Sequence, residues 1–215
     1  MACFIAPYSA SHFNQIPELR SSYKSLISSD GMRMVENVFK PLILRHKLEK
    51  IFGIGLVHRH FDLYGTEKLV EFDNLAFPLQ LQRDQDEVPG GKVLPCGWTV
   101  VGDKLTPYEF YFEPMGGKEL DYDKFAPFLA EFLETVKASG LERTLCLRLF
   151  PGEGYVGGLE ITRGRLSVNI LPHMIPENGM EGATETMWFF DPRWIKEKRA
   201  CMCRDMAGNS HMHLG

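Results

Sequence analysis

The sequence predicts an α+β fold: a mostly antiparallel, curved sheet of about seven to nine strands, packed by a long helix near 124–138 and by N-terminal helices. Three observations lead there. Short apolar runs alternate with polar residues at the period of a strand, and Gly- or Pro-bearing turns separate them. A single segment among those runs carries a long helical stripe. A parallel βαβ architecture needs a helix between most strands, whereas the order here is helices, several strands, one helix, several strands.

Residues 1–29, rich in Ser and interrupted by Pro7 and Pro17, predict a loose arm with one short helix near 18–27. A helical pattern follows through Val35, Val38, Phe39, Leu42 and Ile43. Pro41 falls inside it; it lacks a backbone donor, so a kink or a second helix starting there is expected. In IFGIGLVHRHFDLYG an apolar strand runs into alternating polar residues, and Gly65 marks the turn. Residues 68–72 and 76–81, LPCGWTVVG and LTPYEFYFEP predict further strands, with QRDQDEVPGGK as a polar loop. At 124–138, Phe125, Phe128, Leu129, Phe132, Leu133 and Val136 share one helical face, and Gly140 supplies the stop. RTLCLRLF puts Leu145, Leu147 and Leu149 on one strand face, with Cys146 as a small buried apolar residue. GGLEITRGRLSVNILPH predicts a hairpin turning at Arg163-Gly164. TETMWFF is a strand stopped by Asp191-Pro192, and a short basic helix spans 193–200. The length of 215 residues suits one domain, 1–200, followed by a Cys/His tail or hairpin at 201–215.

Composition narrows the function classes. The net charge is −4, and the densest basic run, Arg193, Lys196, Lys198 and Arg199, is interrupted by Glu197, so a nucleic-acid partner is unsupported. No stretch of about 18 apolar residues exists, so no membrane span is expected. Five cysteines, an odd number, and the lack of a basic, apolar leader predict a reducing, cytoplasmic setting. The oligomeric state is not legible.

Two groups of residues point to chemistry. If HRHFDL continues its strand, His58, His60 and Asp62 share one face, since strand side chains alternate. Two imidazoles so placed can meet one metal ion. The carboxylate can be a third ligand, an orienting partner or a general base. The stretch resembles the His-x-His-x-Asp-His run of metallo-β-lactamase-like hydrolases, with Leu63 standing where that run ends in His. It is also similar to the His-x-His opening of a cupin metal site, where Glu67 comes later than that pattern asks. Both resemblances imply metal ligation by His58 and His60. Without metal, the same pair can serve as acid and base near neutral pH.

The second group is CMCRDMAGNSHMH, residues 201–213, where a turn at Gly208-Asn209 would face Cys201 and Cys203 with His211 and His213. Thiolates and imidazoles suit zinc, and Cu(I) is a softer alternative. A strained Cys-Met-Cys disulfide and a mobile tail are the other readings. The tail can also fold back and bring one Cys or His beside His58 and His60 as a mixed site. Elsewhere, Glu109, Tyr111 and Glu113 alternate on one face of YEFYFEP, which either meets solvent or lines a pocket for a cationic or aromatic ligand. PGEGYVGG matches no phosphate-binding fingerprint and no G-x-S-x-G elbow occurs.

These features predict a small cytoplasmic enzyme acting on a small molecule, centred on His58, His60 and Asp62 and using zinc or, less suitably, copper. The alternatives are a non-catalytic binding or assembly protein with a structural zinc hairpin at its C-terminus, and an acyl or aminoacyl transferase using histidine without metal.

Overall fold

The computed structural model describes residues 4–81, 86–117 and 119–204. The fold is α+β. Its strands are β1 (Phe52–Leu56), β2 (Glu67–Phe72), β3 (Leu75–Gln80), β4 (Glu87–Val88), β5 (Gly91–Val101) and β6 (Lys104–Pro114). They continue with β7 (Leu145–Leu149), β8 (Gly157–Arg163), β9 (Leu166–Ile170), β10 (Thr184–Trp188) and β11 (Ala200–Arg204). All but the two-residue β4 form a closed ten-stranded barrel in the order β5-β6-β2-β3-β9-β8-β11-β10-β1-β7. Pairing of β7 back onto β5, at Gly97↔Arg148 and Trp98↔Leu147, shuts it.

The predicted curved, mostly antiparallel sheet is therefore corrected in two respects. It is a closed barrel, and it is mixed: β2 runs parallel to β6, and β11 parallel to β8. Alternation along a strand reports two faces but not whether the polar face meets bulk water or a barrel interior. Register shifts in β5 between Pro95 and Trp98 bend that strand where the wall closes.

The helices are α1 (Ala10–Phe13), α2 (Leu19–Ser28), α3 (Gly31–Met34), α4 (Lys40–Arg45), α5 (Ala126–Ser139) and α6 (Pro192–Lys196). Between α3 and α4 the backbone widens into a π-helical turn, Val35–Phe39, and Pro41 sits in the first turn of α4. The missing proline N–H is accommodated there, where helical donors are unpaired anyway. Gly140, at φ 67°, caps α5 in the left-handed region.

The main hydrophobic core lies outside the barrel, between its wall and the helices. Phe52 of β1 stacks on Phe128 of α5 at 5.4 Å between ring centroids, and Trp98 meets Phe52 edge-on at 6.3 Å. Phe128, Leu129, Phe132, Leu133 and Val136 of α5 are buried, each stabilising the fold by about 1.5–3 kcal/mol. Leu145 and Leu147 of β7 face this core. The alternate residues Cys146 and Arg148 turn into the barrel, which can hold polar groups because the apolar burial happens elsewhere.

The domain boundary expected at residue 200 falls inside β11, a wall strand paired on both sides. His211 and His213 lie outside the described residues, and so does the hairpin that would join them to Cys201 and Cys203. Among the described residues, no helix is long and apolar enough to cross a membrane.

Candidate metal centre

Leu56 ends β1. Val57 N–H still reaches the Thr144 carbonyl at 2.9 Å, but Arg59 N–H donates to the Pro17 carbonyl at 3.0 Å, so the chain has left the wall. The strand alternation assumed for HRHFDL stops with it. His58 and His60 nevertheless come together, their rings 5.0 Å apart and nearly perpendicular at 88°. Asp62 does not join them. Its carboxylate lies 2.6 Å from Arg59 Nη1 and its side chain is 52% exposed, which corrects the expectation of a shared face.

The segment 57–66 is tied down at several points. The Asn14 side chain donates to the Leu63 carbonyl and accepts from the Leu63 N–H, both at 2.8 Å. Arg165 lies over the Tyr64 ring at 4.4 Å, donates to the Asp62 carbonyl at 3.0 Å and pairs with Glu67. These ties present both histidines to the barrel interior from a fixed backbone.

Two strands supply what faces them. In the parallel β8–β11 ladder Cys203 is opposite Glu160, so both side chains leave the same face. Cys203 Sγ lies 3.2 Å from His60 Nε2, and Glu160 Oε1 lies 3.8 Å from the same nitrogen. His58, His60, Glu160 and Cys203 offer one ligand atom each, all within 4.8 Å of one another. In a tetrahedral zinc site neighbouring ligand atoms stand roughly 3.3–3.8 Å apart, given Zn–N near 2.0–2.1 Å and Zn–S near 2.3 Å. A side-chain adjustment of about 1 Å would seat the ion. His58 Nδ1 lies 2.8 Å from the Leu56 carbonyl oxygen. A carbonyl only accepts, so Nδ1 carries the hydrogen, and Nε2 is the ring nitrogen left to hold a metal. A metal-binding histidine is commonly oriented by such a backbone bond.

The expected ligand set Cys201, Cys203, His211 and His213 is thus divided. Cys203, wholly buried, meets His60. Cys201 points among Phe150, Phe189 and Trp194 and lies 3.4 Å from the Tyr155 hydroxyl. Cys201 and Cys203 stand on a regular strand with no disulfide between them, so the strained Cys-Met-Cys bridge is not formed. Burial pushes the Cys201 and Cys146 thiols up to about 12 and raises Cys96 well above the usual thiol range. These three are neutral near pH 7 and are poor nucleophiles.

The histidines and Glu160 border an interior cavity of about 80 Å³. One water needs roughly 10–15 Å³ on this measure, so several waters or a small ligand fit. Across the cavity stands Arg148, 3% exposed, with Nη2 2.8 Å from Glu71 Oε1 and Nη1 bonded to Glu109. A Cβ at Gly55 would stand 2.7 Å from Arg148 Cγ, and one at Gly97 2.7 Å from Nη1, so both glycines make room for this side chain. Glu71, Cys96 and Glu109 also cluster closely, but there the guanidinium already supplies the positive charge. Burial raises the Glu71 carboxyl, and Arg148 only partly pulls it back. About a third of the Glu71 side chain, 35%, is accessible, and it lines the cavity.

Arg148, Glu71 and Glu160 were not singled out by the sequence reading. Their signal is a charge at an alternating position inside an apolar strand, as in LCLRLF. Glu109, on the Glu-Tyr-Glu face, is the one interior charge the pattern flagged. The resemblances to hydrolase and cupin runs do not extend past the His-x-His, since that pair sits on a loop and Asp62 turns away. No family model, no curated protein and no solved structure matches the chain.

Proposed function

We propose that this chain is a metal-dependent enzyme acting on a small molecule inside its barrel. The carrying observation is the meeting of His58, His60, Glu160 and Cys203, with the His58 ring oriented by the Leu56 carbonyl. The nitrogen, sulfur and carboxylate donors suit Zn²⁺, with copper as the softer alternative. His58, His60 and Glu160 line the cavity while Cys203 does not, so the ion would be held from behind by sulfur and face the cavity on its other side. Such an ion acts as a Lewis acid or lowers the pKa of a bound water. Glu160 is either the fourth ligand or the carboxylate that receives the water's proton.

Two other readings have an observation each. Complete burial of Cys203 suits a structural metal tying β11 and β8 to the segment 57–66. The 3.2 Å Cys203–His60 contact suits a thiolate nucleophile. A nucleophile must reach its substrate, however, and Cys203 has no exposed surface. Elemental analysis of the purified protein decides among them: the enzyme reading expects about one zinc per chain, lost in Cys203→Ser and His60→Ala and kept in Asp62→Asn. Metal-free wild-type protein overturns it. Metal whose removal lowers Tm but leaves ligand binding in the cavity unchanged favours the structural role.

A further inference from the structure

We infer that the cavity takes a small ammonium-bearing ligand, with the ammonium on Glu71 and a neutral acceptor oxygen on Arg148, as in an amino alcohol or amino amide. The inference uses the cavity as the substrate site of the proposed function and adds the class of molecule that enters it. It stands on the balance of charges around the cavity and on one buried polar atom left without a partner, Arg148 Nε.

Glu71, Asp73, Glu109 and Glu160 line the cavity together with Arg148 and Arg59, and Arg59 is already paired with Asp62. Arg148 is not an anion receptor. One terminal nitrogen bonds Glu71 and the other bonds Glu109, so a carboxylate or phosphate would have to displace a built-in partner. With Glu160 and the Cys203 sulfur assigned to balance the metal dication, Glu71, Asp73 and Glu109 remain against Arg148, since Arg59 is paired with Asp62, and negative charge is in excess. A ligand cation is attracted there and an anion repelled.

The position of the two groups on the ligand follows from Glu71 and Arg148. Among the described residues Glu71 meets Arg148 through Oε1, and its side chain, 35% accessible, lines the cavity. It can accept from an ammonium in a charge-assisted bond. Arg148 Nε is buried without a hydrogen-bond partner, on a side chain 3% exposed. Its N–H lies on the same edge of the guanidinium as a terminal nitrogen and requires an acceptor. A hydroxyl or carbonyl oxygen two or three atoms from the ammonium satisfies both. The cavity volume of about 80 Å³ keeps the ligand small.

Three molecules of matched size separate the charge classes: ethanolamine, ethylene glycol and glycolate, titrated into the purified protein by calorimetry. Ethanolamine is expected to bind about tenfold more tightly than ethylene glycol, the worth of one charge-assisted hydrogen bond. Glycolate is expected to bind most weakly. In Glu71→Gln the advantage of ethanolamine over ethylene glycol should vanish with metal content unchanged. If glycolate or ethylene glycol equals ethanolamine in the wild type, or if Glu71→Gln keeps the preference, the inference is overturned. Should that variant fail to fold, the wild-type ranking decides alone. Metal content of the same samples separates the two ideas: full metal without an amine preference sinks the ligand class only, and an amine preference without metal sinks the proposed enzyme only.

Discussion

Arg148 is the residue on which the barrel interior turns. A guanidinium inside a protein is tolerated only when paired, and here Glu71 and Glu109 pair it from two neighbouring strands. The same arithmetic makes the pair costly to break. Arg148→Met should destabilise the fold by about 3–5 kcal/mol, because two carboxylates are left facing each other without a cation. The triple variant Arg148→Met/Glu71→Gln/Glu109→Gln should recover most of that loss. Denaturant midpoints of the two variants check this. If the single variant is as stable as wild type, the interior is wetter than its burial indicates. Gly55 and Gly97 belong to the same device, since no larger residue leaves the arginine its place.

Among the elements, the segment after β1 matters most for the site. It has no ladder of its own, and its position depends on Asn14 and Arg165. The Arg165 hydrogen bond holds the Glu67 carboxyl below its ordinary value of 4.5, aided by the Tyr64 N–H. A depressed carboxyl contributes stability above the unfolded pKa and loses it as pH falls through the folded one. Glu67→Gln should therefore lower Tm at pH 7, and the gap to wild type should close as pH drops below 4.5. Melting curves at pH 7, 5 and 3 test this; a gap that is constant with pH would refute the role of the ion pair. Hydrogen exchange in 62–66 should quicken in the same variant, because Arg165, which ties the Asp62 carbonyl, is itself held by Glu67.

At the scale of the whole molecule, local pattern carried most of the elements and little of their closure. The stripe at 124–138 becomes Ala126–Ser139, and the hairpin at Arg163-Gly164 becomes β8 and β9. These are set by neighbours a few residues away. Barrel closure is set by pairings such as Gly97↔Arg148, which no local period contains. The same holds for the site: the His58–His60 pair is visible in HRH, while Cys203 reaches it across 143 residues of chain. The tail at 201–204 was legible as chemistry and illegible as a wall strand. That difference yields a prediction. A chain ending at Arg199 lacks a strand between β8 and β10 and should lose its cooperative melting transition as well as any metal. A chain ending at Arg204 should keep the transition. Circular dichroism and metal content of the two truncations test this, and a well-folded chain ending at Arg199 would contradict the barrel.

The place of β11 also fixes an order of events during synthesis. It lies between β8 and β10, both made earlier, and it carries Cys203. Until residue 204 has left the ribosome, the wall has a gap one strand wide and the histidines wait without their sulfur. The nascent chain must hold that gap open, with a hydrogen-bonding edge on either side exposed to wrong partners. Insertion of this strand closes the wall and brings Cys203 to His60 in a single step, so metal held by the proposed group would report a closed wall.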